Sequence, residues 1–368
     1  LQLGVTGKGS PDDMRVSMES WLEAPGHGRV NSFLNGGLKG KTLTLDELKV
    51  SVPEQPGEVT VNGQIELAEE QELDFTANWR QLQWPLQGRP LITIPAGSAK
   101  LSGTPQRLRA LLDTEVGEAG RIEGKFLRQE EDIDAALNWS EIQWPMQTPQ
   151  LKSSEGHIAA AGKIEDYALA ISANLAVVEQ TAAALRLEGR GSLEAVDFSS
   201  LDIRALGGKL EGNASIAWKP ELQSTLVIEG EGFNPGEIMK DWPGKLGISL
   251  WAQGGVHDKQ PHLQLQQLQV QGDLRGHELA LEAAGSYEDN QGRLDSLTLS
   301  SGATVFEASG SLSDSKMLDV NWLAHSEDLG TLLPEAEGSL DGKGSLRGFF
   351  KRPEIKAALT AEGLVYSD

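Results

Sequence analysis

The chain has 368 residues, 42 of them glycine, with no cysteine and a formal net charge of −22. This acidic balance argues against binding to nucleic acid and against adsorption on an anionic bilayer, because both need clustered Lys and Arg. Without cysteine, disulfides give no indication of the compartment. Frequent glycine between short apolar runs is typical of an all-β chain with many turns.

Patterned sequence runs through the whole chain. We find no Ser/Gly tract, no Pro-rich spacer and no block of like charge that would separate domains. We therefore predict one continuous repetitive β array over residues 1–368, cut from a longer protein. No apolar stretch reaches the roughly 18 residues of a transmembrane helix, and the first residues carry no signal-peptide pattern.

The first clear strand pattern is LTLDELKV at residues 43–50, which returns as LQLQQLQV at residues 263–270. Each consists of two alternating apolar pairs with one extra polar residue between them. An extra residue reverses the phase of an alternating strand, and a β-bulge or a corner would absorb it. Shorter relatives are Phe198, Leu201 and Ile203, and Leu294, Leu297 and Leu299.

A longer segment is repeated 60 residues apart: NWRQLQWP at residues 78–85 returns as NWSEIQWP at residues 138–145. A copied segment indicates a copied structural unit. Each copy follows an acidic cluster and a run in which every second residue is apolar, which predicts a hairpin with one apolar face. We interpret the four tryptophans of the two copies as packing anchors.

Four more hairpins follow with the same phase, around the turns at residues 165–166, 219–221, 314–316 and 352–353. Short helices are predicted over residues 105–113 and 235–242. These are too few to cover the apolar face of such a sheet. That face must pack on a second sheet, wind into a filled solenoid, or curl into an open trough that a ligand completes.

The sequence predicts no site for catalysis, for a metal or for a cofactor. Only His257 and His262 lie close together, and the acidic clusters fall at turns, where charge keeps a β protein soluble. The SxxK spacing of Ser313 and Lys316 falls at a hairpin turn without partner motifs. We expect no enzymatic activity, no cofactor and no nucleic-acid partner.

The run LGGKLEGNASIAW at residues 206–218, followed by FNPG at 233–236 and DWPGKL at 241–246, resembles the TamB family and its AsmA-like relatives in Gram-negative envelopes. The repeated strand patterns extend this resemblance over nearly the whole chain. It implies an elongated β-taco, an open curled sheet with a hydrophobic groove. It also implies a periplasmic location with a tether to the inner membrane, and an Omp85-type (TamA-like) outer-membrane partner, both through parts outside this sequence.

The resemblance implies that the groove carries phospholipid acyl chains between the two membranes. At roughly 10 to 12 residues per strand and turn, the chain would form about 30 strands, and a single stack would be on the order of 150 Å long. We assign the groove lining to fifteen apolar positions: Leu73, Phe75, Ala77, Ile133, Ala135, Leu137, Leu169, Ile171, Leu175, Leu226, Ile228, Leu318, Val320, Ile355 and Leu359.

Two alternatives remain open at this point. The chain could be an assembly factor that templates outer-membrane or autotransporter strands through exposed sheet edges, working with an Omp85-type partner. It could also be a structural β-solenoid, acting as a scaffold or adhesin. A filled solenoid usually has a regular repeat of about 20 to 30 residues per coil.

Overall fold

The computed structural model describes residues 2–24, 28–53, 56–86, 88–177, 182–331, 333 and 335–366. These residues form 24 β-strands and two short 3-10 turns, which confirms the prediction of an all-β fold. The chain divides into two compact units, residues 1–179 and 180–368.

The first unit is an antiparallel meander in which each strand pairs with the next. The sheet does not close on itself, because β1 pairs only with β2 among the described residues. The strands are β1 (Gln2–Ser10), β2 (Asp13–Ala24), β3 (Gly28–Lys39), β4 (Thr42–Ser51), β5 (Glu58–Glu66), β6 (Glu72–Trp84), β7 (Ile92–Gly103), β8 (Arg107–Val116), β9 (Gly120–Gln129), β10 (Asp132–Trp144), β11 (Leu151–Lys163) and β12 (Asp166–Val177).

The second unit is also an antiparallel meander. Its 3-10 turns are Pro235–Glu237 and Leu329–Thr331. Its strands are β13 (Ala182–Gly191), β14 (Ala195–Ala205), β15 (Gly208–Ala217), β16 (Gln223–Phe233), β17 (Gly244–His257), β18 (Gln260–Leu274), β19 (His277–Glu288), β20 (Gln291–Ser301), β21 (Thr304–Leu312), β22 (Met317–Ser326), β23 (Ala336–Phe349) and β24 (Glu354–Tyr366).

The 60-residue repeat gives two matching strands, β6 and β10, which confirms the predicted hairpins. Both strands are 13 residues long and have the same residue-by-residue pattern of exposure. Gln81 and Glu141 take left-handed φ angles of 50° and 51° at equivalent positions. In each copy this residue and the residue opposite it are left out of the pairing with the following strand, while the register is the same on both sides of the gap.

Trp79 bridges three strands, β6 to β8, and Trp139 bridges the two strands β10 and β11. The Trp79 Nε1 donates to Thr114 Oγ1 at 3.0 Å, and the ring crosses Gly97 of the intervening strand. The Trp139 Nε1 donates to Ser153 Oγ at 2.8 Å, and its ring crosses Gly156.

The anchoring interpretation therefore holds for these two indoles. In contrast, Trp84 and Trp144 at the corners remain about half exposed.

The predicted bulges are confirmed at all four places where an extra residue interrupts the alternation. The register shifts between Leu45 and Leu48, Phe198 and Leu201, Leu265 and Leu268, and Leu294 and Leu297. In each case both apolar residues remain in register with apolar partners on the same side of the sheet.

The helix prediction over residues 105–113 is wrong, because β8 covers this segment. The helix was predicted from the spacing of Leu108, Leu111 and Leu112. Leu108, Ala110 and Leu112 also alternate as in a strand, and β7 and β9 pair with the backbone on both sides. Of the helix predicted over residues 235–242, only the single 3-10 turn exists.

Deletion of Gln266 tests the bulge. This residue is extra relative to both β17 and β19, so its loss leaves Leu265 and Leu268 on the same face of a regular strand. We expect a melting temperature within about 4 °C of wild type, or roughly 1 kcal/mol. Deletion of Ser249, in the regular part of β17, should unfold the unit. The loss of one residue would move the apolar side chains on one side of the deletion to the polar face of the sheet. Equal effects of the two deletions in thermal unfolding would contradict this account.

Substitution of Gly156 by Ala tests the indole bridge. A Cβ at this position would lie 1.9 Å from Trp139 Cζ2, so the ring must leave its place over the strand. We expect a loss of about 1 to 3 kcal/mol in thermal unfolding, with a shift in tryptophan fluorescence. Gly4→Ala in β1 is the control, because its Cβ would meet nothing closer than 3.9 Å. A stable variant with unchanged fluorescence would show that the indole does not depend on the glycine.

Candidate apolar groove

One face of the first unit carries apolar residues that lie opposite each other from strand to strand. We call each such line across the sheet an apolar row. Two apolar rows cross all twelve strands without a polar residue. The first contains Val5, Met18, Leu34, Leu48, Val61, Ala77, Ala99, Leu112, Gly124, Leu137, Ile158 and Ile171. The second contains Gly7, Val16, Gly36, Leu45, Gly63, Phe75, Leu101, Ala110, Phe126, Ala135, Ala160 and Leu169.

The sheet curves so that these rows line a cavity of about 480 Å³ over strands β6 to β11. Twelve of its sixteen lining residues, two from each of the six strands, belong to the two apolar rows: Phe75, Ala77, Ala99, Leu101, Ala110, Leu112, Gly124, Phe126, Ala135, Leu137, Ile158 and Ala160. The other four are Lys100, Leu111, Lys125 and Ala136, which stand between them on the strands, where side chains alternate to the opposite face. Lys100 and Lys125 pair with Asp74 and Asp134, which belong to the polar face of the strands. The size lies within the range of roughly 300 to 1,000 Å³ that is usual for ligand sites.

The lining is only partly shielded from solvent. The twelve row residues of the lining are all half-buried and none of them is fully buried. A closed protein core would bury such side chains completely, because the interior packs as densely as an organic crystal. The apolar face of this unit therefore remains open to an additional apolar partner.

Three apolar rows cross the second unit, one more than in the first. The middle row contains Leu187, Leu201, Gly212, Ile228, Leu250, Leu268, Ala283, Leu297, Ala308, Trp322, Gly344 and Ala357. Another contains Gly189, Phe198, Ala214, Leu226, Ala252, Leu265, Gly285, Leu294, Gly310, Val320, Leu346 and Ile355, and a third contains Leu185, Ile203, Leu210, Gly230, Ile248, Val270, Leu281, Leu299, Phe306, Ala324, Gly342 and Leu359.

One rim of the second unit is closed by the loops that contain the 3-10 turns. Trp242 covers a buried cluster of Phe233, Leu246, Leu274 and Leu279. The second loop buries hydroxyl groups: Thr304 Oγ1 lies 2.7 Å from Ser326 Oγ and 3.0 Å from Thr331 Oγ1.

The Arg275 side chain connects the two loops. The Arg275 guanidinium lies 5.7 Å from the Trp242 ring and donates to the Gly330 carbonyl at 3.3 Å. The loops are thus held together over this rim.

The opposite face of the sheet is polar and carries cross-strand ion pairs. Lys49 Nζ lies 2.6 Å and Arg80 Nη2 3.3 Å from the two carboxylate oxygens of Glu58. The hydrogen bond from Lys49 is the largest cause that holds the pKa of Glu58 below its usual range. The division into a charged face and an apolar face therefore extends across neighbouring strands.

The fifteen positions that the sequence predicted as lining fall into three groups. Phe75, Ala77, Ala135 and Leu137 line the cavity. Leu169, Ile171, Leu226, Ile228, Val320, Ile355 and Leu359 lie in apolar rows away from it, although Ile355 and Leu359 on β24 are 66% and 60% exposed. Leu73, Ile133, Leu175 and Leu318 lie outside the unbroken rows; Leu73 and Ile133, for example, belong to a row that Arg128 interrupts.

The prediction missed the cavity residues of β7, β8, β9 and β11. The hairpin patterns emphasised the returning strands, and Ala110 and Leu112 were assigned to a helix. Residues such as Ala99 and Ala160 are too small to mark an apolar face by themselves. They are identified only through their register with Ala77 and Ala135.

No helix among the described residues is long and apolar enough to cross a membrane. The described residues also contain no group of three or more His, Asp or Glu side chains placed to hold a metal ion.

Residues 120–368, more than half of the chain, match the family model described as TamB, N-terminal domain. The match covers the second unit and strands β9 to β12 of the first, including part of the cavity lining. The chain therefore belongs to the TamB family of cell-envelope proteins.

Proposed function

We propose that this chain is a segment of a periplasmic bridge that carries phospholipid acyl chains along its apolar rows between the inner and outer membranes. The observation that carries the proposal is the continuity of these rows, which cross twelve strands in each unit without a polar residue. In this proposal the chain binds and guides lipid and catalyses no reaction.

Continuity matters because the hydrophobic stabilisation of an acyl chain is lost wherever the chain is exposed to water. Each buried methylene contributes about 0.8 kcal/mol, so a phospholipid with ~30 of them needs on the order of 24 kcal/mol of apolar contact outside a bilayer. One polar position in a row would interrupt that contact. The half-buried state of Leu137, Ile158 and the other lining residues leaves apolar surface that acyl chains would cover.

The proposal also includes a membrane tether and an outer-membrane partner. An inner-membrane tether would hold the protein in the periplasm, and an Omp85-type outer-membrane protein would receive the lipid. Both inferences rest on membership of the family.

The first test is the lipid content of the purified protein. We expect solvent extraction followed by mass spectrometry to find phospholipid in the wild-type sample. Leu137→Asp should reduce the amount at least about fivefold, because it places a carboxylate among the lining residues. We expect it to cost only about 1 to 2 kcal/mol in thermal unfolding, since the open side of the cavity lets water reach the new charge.

Asn138→Asp is the matched control, because the neighbouring side chain is exposed on the polar face. Asn138 Oδ1 lies 2.7 Å from His157 Nδ1, and an aspartate keeps this acceptor. Lipid content and stability should stay at the wild-type level. The proposal fails if the wild type carries no lipid, or if both variants carry as much as the wild type.

A further inference from the structure

Two turns of the second unit lie side by side and form an exposed surface. Met317 pairs with Phe349 at the end of the ladder between β22 and β23. Beyond this pair, the Phe350 backbone N–H donates to the Lys316 carbonyl at 2.9 Å. We call the six residues at this place the basic-aromatic tip: Lys316, Met317, Phe349, Phe350, Lys351 and Arg352.

The apolar part of the tip is presented to solvent. Phe349 is 63% exposed and Phe350 is 62% exposed, and Met317 beside them is 39% exposed. The turn has a defined backbone, because the Arg352 N–H donates to the Phe349 carbonyl at 2.8 Å. The two aromatic rings therefore point outward from an ordered turn, where they bury little surface and contribute little to the stability of the fold.

The charge of the tip is opposite to that of the chain. Lys316, Lys351 and Arg352 are exposed, and none of them forms an ion pair among the described residues. Nearby acidic groups are Asp314 in the adjacent turn and Glu354, which lies 3.3 Å from Lys356. The tip is thus a local positive site on a protein with a net charge of −22.

Exposed aromatic side chains next to unpaired Lys and Arg match the surface of a bilayer that contains anionic phospholipid. Transfer of a phenylalanine side chain from water to the boundary between headgroups and acyl chains is favourable, and the basic groups bind phosphate. We propose that the basic-aromatic tip is a membrane-docking site of this kind. The negative charge of the remaining surface opposes adsorption elsewhere, so the tip determines which part of the protein touches the membrane.

This inference is independent of lipid transport, and it adds one point to the proposed function. Leu346 and Ile355, in an apolar row of the second unit, lie within three residues of the tip on β23 and β24. If the rows carry lipid, docking at the tip would bring this part of the row to the bilayer.

Vesicle flotation tests the docking site with the whole chain. We expect wild-type protein to float with vesicles of phosphatidylcholine mixed with phosphatidylglycerol, to bind pure phosphatidylcholine much less, and to dissociate at high salt. The double variants Phe349→Ser/Phe350→Ser and Lys351→Glu/Arg352→Glu should each lower the partition coefficient by about tenfold or more. Their melting temperatures should stay near the wild-type value, because the replaced side chains are exposed.

Leu263→Ser and Lys259→Glu are the matched controls, because they change an exposed apolar residue and a basic residue at another turn of the same unit. Both should bind vesicles as wild type does. Absence of wild-type binding would overturn the proposal and direct attention to a protein partner for the tip. Equal losses in the controls and the tip variants would also overturn it. Lipid content measured on the same samples separates a failure of docking from a failure of lipid carriage.

Discussion

The structure depends on keeping apolar side chains on one face of every strand of a long meander. Each inner strand has two neighbours, so a slip of one residue would expose its apolar residues and break the rows on both sides. The bulges at Leu45 to Leu48 and Leu265 to Leu268 prevent this, because they absorb the extra residue and return the strand to the same phase. Departures from strict alternation thus preserve the apolar face.

Glycine has a second role in this sheet besides its role in turns. Many glycines stand inside strands beside large side chains of the same row, as Gly63 does beside Phe75 and Gly124 does between Leu112 and Leu137. A Cβ at Gly63 would lie 2.5 Å from Phe75 Cδ1. The alternation of large and small residues across strands lets rings lie close to the sheet, which leaves space above the face.

The second unit shows how the same kind of face behaves when a loop covers it. Phe233 and Leu246 are buried against Trp242, whereas Leu137 in the first unit is only half-buried. Asn234 Oδ1 fixes the covering loop by accepting from the backbone N–H groups of Gly236 and Gly244, both at 3.0 Å. Burial is therefore decided locally by loops at the rim, and the rest of each apolar face is left for other partners.

The sequence by itself determined the all-β class, the hairpins, the bulges and the family, because alternation, turn residues and the 60-residue copy are local properties. It did not determine which residues meet across strands. Ala99 and Ala160 contribute to the lining only through register, and β8 was mistaken for a helix because its leucines fit both periods. The curvature that turns a flat apolar face into a cavity, and the pairing of two distant turns into the basic-aromatic tip, depend on contacts between strands. Only the tertiary structure could decide them, because a period of two residues specifies a face and not its neighbours.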